Sequence, residues 1–130
     1  MRVIAIVVVI LGLASLVLGV LFITQANSGK QAVADSITPV TLDQLDATYD
    51  SVKAKQLAIK MAEEPAIQGG TALPSPMYNY LTVQKVGLGL ARSQVGTANA
   101  VQTTGIISIL VGLGLVLGGF GMLRKAQSAD

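Results

Sequence analysis

The side chains able to do chemistry are few, and those outside the chain ends lie between residues 30 and 92. Asp43, Asp46 and Asp50 recur at spacings of three and four, which puts three carboxylates on one face of a helix. Such a face could offer oxygen ligands to a hard divalent cation. The spacing lacks the central Gly and closing Glu of a calcium loop. Acids near a helix N-terminus are also what the macrodipole favours on a plain solvated face. That second reading is adopted, and no metal ligands are assigned. Glu63 and Glu64 fall at the opposite end of the same predicted helix, where negative charge is disfavoured. They call for a neutraliser, either Lys60 or another subunit, and count as a possible partner contact. Tyr78 and Tyr80 flank Asn79 just after a loop. Aromatics so placed either anchor an interface or cover the top of a small core.

The rest of the composition removes most other chemistry. There is no Cys, so no disulfide, iron–sulfur cluster or thiolate nucleophile. There is no His, the commonest metal ligand and general base, and no Trp. We therefore expect no catalytic or cofactor-binding residue, no cofactor, and no enzyme activity. Of 130 residues, 52% are hydrophobic, and the mean hydropathy is +0.64. The excess sits in two blocks, which is a membrane signature. Between the blocks, Lys30, Lys53, Lys55, Lys60, Lys85 and Arg92 are balanced by Asp35, Asp43, Asp46, Asp50, Glu63 and Glu64. The net charge of +2 therefore arises at the ends, from Arg2, Arg124 and Lys125 against Asp130. Nothing forms a nucleic-acid patch, and no nucleic-acid partner is expected.

The elements that carry these residues follow from the apolar blocks. Residues 3–23 are uncharged and rich in Val, Ile and Leu. This run exceeds the 7–15 residues of a signal-peptide core, and the Ala32-Val33-Ala34 cleavage-like site lies far beyond it. It reads as an uncleaved anchor over residues 1–26. Residues 104–124 form the second uncharged run, long enough to cross a bilayer, which takes about 20 apolar residues. Both lack intramembrane acids, His and Arg, the usual parts of proton relays. Ser15 and Ser108 are the polar side chains deep in the runs, and we expect them to hydrogen-bond to backbone.

Small residues recur at every seventh position in both runs. They are Ala5, Gly12, Gly19 and Ala26 in the first, and Ala91, Ala98, Gly105, Gly112, Gly119 and Ala126 in the second. A seven-residue repeat keeps one stripe facing one partner helix, and small side chains let two backbones approach closely in lipid. Gly114 and Gly118 add a GxxxG spacing on another face of the second run, with Gly121 beside them. Two close-packing faces imply more than one neighbour. The helix-packing interface is thus assigned to Ala5, Gly12, Gly19, Ala98, Gly105, Gly112, Gly114, Gly118 and Gly119. The glycines do not form a phosphate loop, because no strand precedes them and no Lys-Ser/Thr follows.

Residues 27–103 should form an extramembrane helical domain. The first helix continues past Asn27-Ser28-Gly29 through Lys30-Gln-Ala-Val-Ala-Asp35 and stops before Pro39. Thr41 with Gln44 reads as a capping box opening a helix over about residues 41–64. Leu42, Leu45, Tyr49, Val52 and Ile59 form its apolar stripe, widened by Leu57 and Met61. Glu64-Pro65 is read as the stop, and residues 65–76 as a loop at the domain tip. From residue 77 nothing forces a break before a short tail, residues 125–130, so one helix of roughly 45–50 residues is expected, near 70 Å. The fold class is an all-α membrane protein, two transmembrane helices in an antiparallel hairpin with a small extramembrane helical domain between them.

This layout resembles that of small bacterial two-span membrane proteins of unknown function. In those, an N-terminal anchor and an extracytoplasmic helical segment precede a Met-Asn-x-x-Phe-Leu motif before the second span. The nearest stretch here is Met77-Tyr-Asn-Tyr-Leu81, which differs in order and aromatic. The resemblance implies the two-pass layout and no activity. Arg2, Arg124 and Lys125 close to the runs place both chain ends in the cytoplasm and the central domain outside. The expected function is a non-catalytic structural or accessory subunit of a membrane assembly, with lipid and other membrane subunits or copies of itself as partners. A homo-oligomeric pore is the alternative, although no polar stripe marks a lumen.

Overall fold

The computed structural model describes residues 2–128, and every regular element among them is helical. Helix α1 spans Arg2–Ser36, α2 spans Leu45–Gln68, and α3 spans Pro76–Gln127; a single 3-10 turn, Leu42–Gln44, leads into α2. At 1.5 Å per residue, the 35 residues of α1 reach about 53 Å and the 52 residues of α3 about 78 Å. Both exceed the roughly 30 Å of a bilayer core. Their most apolar 18-residue windows are only 11% buried. A core helix of a water-soluble domain would be mostly buried instead. The long helices thus have the length and composition to cross a membrane and carry apolar surface that the chain itself leaves uncovered. The internal glycines do not interrupt them, in keeping with the tolerance of glycine in membrane helices.

The chain divides into two compact units. One comprises Met1–Gly29 with Thr97–Asp130, and the other Lys30–Gly96. Within the first unit, α1 and α3 touch in opposite chain order: Ala5 and Val9 meet Gly119, Gly12 meets Gly112 and Val116, and Gly19 meets Gly105 and Ile109.

Within the second unit a core of Val33, Leu45, Val52, Leu81, Leu88 and Ala91 joins all three helices, flanked by Ile37, Leu42, Tyr49, Ile59 and Val95. The buried seam of α2 follows alternating steps of four and three, Leu45, Tyr49, Val52, Gln56 and Ile59, which is the 3.5-residue period of helix-on-helix packing. This narrows the expected stripe. Leu57 and Met61 are 52% and 72% exposed and do not widen it, while Gln56, a polar residue, takes a buried seam position at 6% exposure. The Gln56 amide is satisfied there. Its Nε2 donates to Thr82 Oγ1 at 3.5 Å and its Oε1 accepts from Lys85 Nζ at 3.4 Å.

The start of α2 carries the Gln44 half of the capping box, with the Thr41 amide donating to Gln44 Oε1 at 3.5 Å. Its end corrects the sequence reading. Pro65 lies inside the helix, which runs on to Gln68. Gly70 provides the stop instead. At φ 70° it adopts the left-handed conformation that glycine accepts without a Cβ clash. The Gly70 amide then donates to Ile67 O at 3.1 Å and the Thr71 amide to Ala66 O at 2.9 Å, the bond pattern of a Schellman end. The connection to α3 is correspondingly shorter than the 65–76 loop expected, covering only residues 69–75. Ser75 opens α3 as its N-cap, its Oγ accepting from the Tyr78 amide at 3.1 Å, with Pro76 at the first helical position where no amide is needed.

Candidate functional site

The residues singled out for packing separate into two groups. Ala5, Gly12, Gly19 and Ala26 of α1, and Ala98, Gly105, Gly112 and Gly119 of α3, are all buried, each seven residues from the next. A methyl group placed on Gly112 would stand 2.7 Å from Gly12 O and 2.9 Å from Leu16 N. One placed on Gly19 would stand 2.6 Å from Gly105 O. At these positions backbone meets backbone, so only the lack of a side chain permits the approach. Ser15 adds a polar tie across the same seam, its Oγ donating to Ser108 O at 2.8 Å. In lipid such an interhelical bond contributes about 0.6 kcal/mol.

Gly114 and Gly118 are not part of this seam. They are exposed, and neither they nor Gly121 would bring an added Cβ within 4 Å of another group. Their side of α3 also presents Ile107, Val111 and Leu117, exposed by 51–71%. The glycines of α3 therefore have two environments, one filled by α1 and one open.

The remaining candidates lie in the second unit. Asp46 accepts from Arg92 Nε at 2.7 Å, and the Arg92 guanidinium lies 5.4 Å from the centre of the Tyr49 ring. Tyr49 in turn rests on Gly89, where an added Cβ would meet its ring at 3.2 Å. The pair is half exposed and worth little as an ion pair alone. It sets the Arg92 guanidinium beside the Tyr49 ring, which packs on Gly89 of α3. Asp46 thus takes an ion pair, Asp43 and Asp50 are exposed, and among the described residues no group of three or more His, Cys, Asp or Glu could hold a metal.

Glu63 has an intramolecular task. Its carboxylate reaches from α2 to the start of α3, accepting the Ser75 hydroxyl at 2.7 Å and the Ser75 amide at 3.0 Å. The hydroxyl bond, seconded by the amide, holds the Glu63 carboxyl below the usual carboxylate range. This contact was not legible in the sequence, because the twelve-residue separation depends on the Schellman turn that folds α3 back. Glu64 has local partners, Lys60 at 3.5 Å and the Gln68 amide at 3.2 Å. Tyr78 is half-buried, while Tyr80 is 57% exposed and accepts from Gln84 Nε2 at 2.9 Å. Tyr80 also borders an open apolar cleft between α2 and α3, lined with Val52, Lys55, Ile59, Met77 and Leu81.

Comparison of the chain with protein-family models, with curated proteins and with solved structures yields no match. The functional reading therefore rests on the geometry alone.

Proposed function

We propose that this chain is an integral membrane protein whose two long helices cross the bilayer as an antiparallel hairpin, and that it serves as a small structural or accessory subunit of a membrane assembly. In this reading both chain ends lie on the cytoplasmic side and residues 30–96 form an extracytoplasmic domain. The observation that carries it is the divided use of glycine on α3. Gly105, Gly112 and Gly119 are consumed by contact with α1, whereas Gly114, Gly118 and Gly121 keep a second face open among exposed apolar side chains. A close-packing face left over after the chain has packed on itself suits another membrane helix. The lack of Cys and His, and of any acid between residues 97 and 128, fits a role in packing rather than in proton or electron transfer.

The deciding experiment is the mass of the particle after gentle detergent extraction, with its chains identified, for the parent and for Gly114→Leu/Gly118→Leu. An accessory role predicts larger co-purifying chains that are lost from the double variant; multiples of 13.4 kDa would instead mean self-assembly. A monomer in both preparations would refute the reading. The topology is checked separately by a protease added to intact cells, which should cut within residues 69–75. Cleavage seen only after the cells are opened would reverse the orientation.

A further inference from the structure

We infer that the end of the first unit, where α1 begins and α3 finishes, is a docking surface for anionic phospholipids; this rests on the membrane reading above. The described residues of that unit carry three formal charges, Arg2, Arg124 and Lys125, all positive. The register of the α1–α3 seam brings all three to one end, because Ala5 meets Gly119 while the other contacts step away from it seven residues at a time. Arg2 already has a contact within the chain, and Arg124 and Lys125 are exposed on the last turns of α3. The first amides of α1 point out of the same end and add the partial positive charge of a helix N-terminus. The single acid that the sequence puts nearby is Asp130, which lies outside the described residues.

The far end of the unit is built differently. Thr24, Gln25, Asn27 and Ser28 on α1, with Thr97, Asn99, Thr103 and Thr104 on α3, form an exposed belt of hydroxyls and amides without a charge. Thr24, Thr103 and Thr104 turn their hydroxyls back to carbonyls of their own helix. The two ends of the unit therefore differ, with three cations at one and neutral polar groups at the other, where Lys30, one residue beyond the unit on α1, already has a contact within the chain. Beside the cations, Ile4, Phe120 and Met122 are exposed by 61%, 54% and 53%. Cations above exposed apolar side chains match an amphiphile, a phosphate with acyl chains below it, better than a free anion.

The test is native mass spectrometry of the full chain in detergent containing equal phosphatidylcholine and phosphatidylglycerol. Each Lys or Arg near a headgroup layer favours anionic lipid by roughly fivefold, so Arg124→Gln/Lys125→Gln should lower the retained phosphatidylglycerol-to-phosphatidylcholine ratio by roughly 25-fold. Lys60→Gln in the second unit should leave the ratio as in the parent, and inorganic phosphate should not displace the bound lipid. Equal retention of both lipids by the parent, an unchanged ratio in the double variant, or displacement by phosphate would overturn the inference. Flotation with vesicles of each lipid separates this failure from that of the membrane reading. A chain that floats with both kinds but retains neither preferentially defeats the lipid surface alone, and one that floats with neither defeats the membrane reading and the inference with it.

Discussion

Gly112→Ala adds one methyl group at a point where the backbones of α1 and α3 meet, and its cost can be worked from the geometry. The new carbon would sit 2.7 Å from Gly12 O, against 3.4 Å for the near edge of ordinary contact, a deficit of 0.7 Å. Of the three nearest atoms, Gly12 O at 2.7 Å and Leu16 N at 2.9 Å are backbone, and Leu16 Cγ at 2.8 Å is the branch point of its side chain rather than a flexible end, so the helices themselves must part. A gap of 0.5–1 Å forfeits a quarter to a half of each dispersion contact, and the same separation loosens the layers at Gly19, Gly105 and Gly119. Overpacking of this kind costs about 1–3 kcal/mol, and in lipid no hydrophobic gain offsets it. Alanine also favours helix over glycine by about 1 kcal/mol in water, which opposes the loss. Gly96→Ala carries the same propensity gain with nothing within 4 Å, so the difference between the two variants isolates the packing cost. Thermal unfolding in mild detergent, followed by circular dichroism, should show Gly112→Ala melting below the parent and Gly96→Ala at or above it. If Gly112→Ala melts with or above Gly96→Ala, the seam does not hold α1 and α3 together and the reasoning fails.

Leu45→Ala removes a side chain that is only 2% exposed, and should destabilise the full chain by about 2–5 kcal/mol in denaturant titrations; an unshifted midpoint would mean the second unit does not unfold with the rest. Glu63→Gln tests the tie to Ser75. Because the folded carboxyl is held below its ordinary value of 4.5, its stabilisation is present above that value and is lost as pH falls through the lower, folded one. The parent's melting temperature should therefore lose an acid-dependent part below about pH 4.5 that the Gln variant lacks, and superimposable pH profiles would remove Glu63 from the account. Gln56→Leu should be neutral or stabilising in the same melts, since Thr82 keeps its bond to Tyr78 O at 2.8 Å and a buried polar group is replaced by an apolar one; a loss above about 2 kcal/mol would show that Lys85 cannot reach water without it.

The sequence by itself determined the helical class and the two long apolar segments, because both depend on local quantities, the length of an uncharged run and the period of its small residues. It also revealed the core positions Leu45 and Val52, whose spacing and chemistry agree. Where it erred, local rules competed with one another. Pro65 carried a stop signal, yet a proline in the last turn forfeits a single amide bond, while Gly70 alone could take the left-handed conformation that closes α2. Gln56 was invisible as a core residue because its polarity is acceptable only once Thr82 and Lys85 are brought beside it. The Glu63–Ser75 tie was hidden for the same reason, twelve residues apart in the chain and 2.7 Å apart in space. The sequence matched the seven-residue stripe of α3 to one on α1 and gave the Gly114/Gly118 face no counterpart, but it left open whether the stripe packs within the chain or on a neighbour. Only the tertiary structure decided that Gly105, Gly112 and Gly119 are occupied by α1 and that Gly114 and Gly118 are not. A glycine records that a close approach is allowed, and the partner that makes the approach is a property of the folded chain.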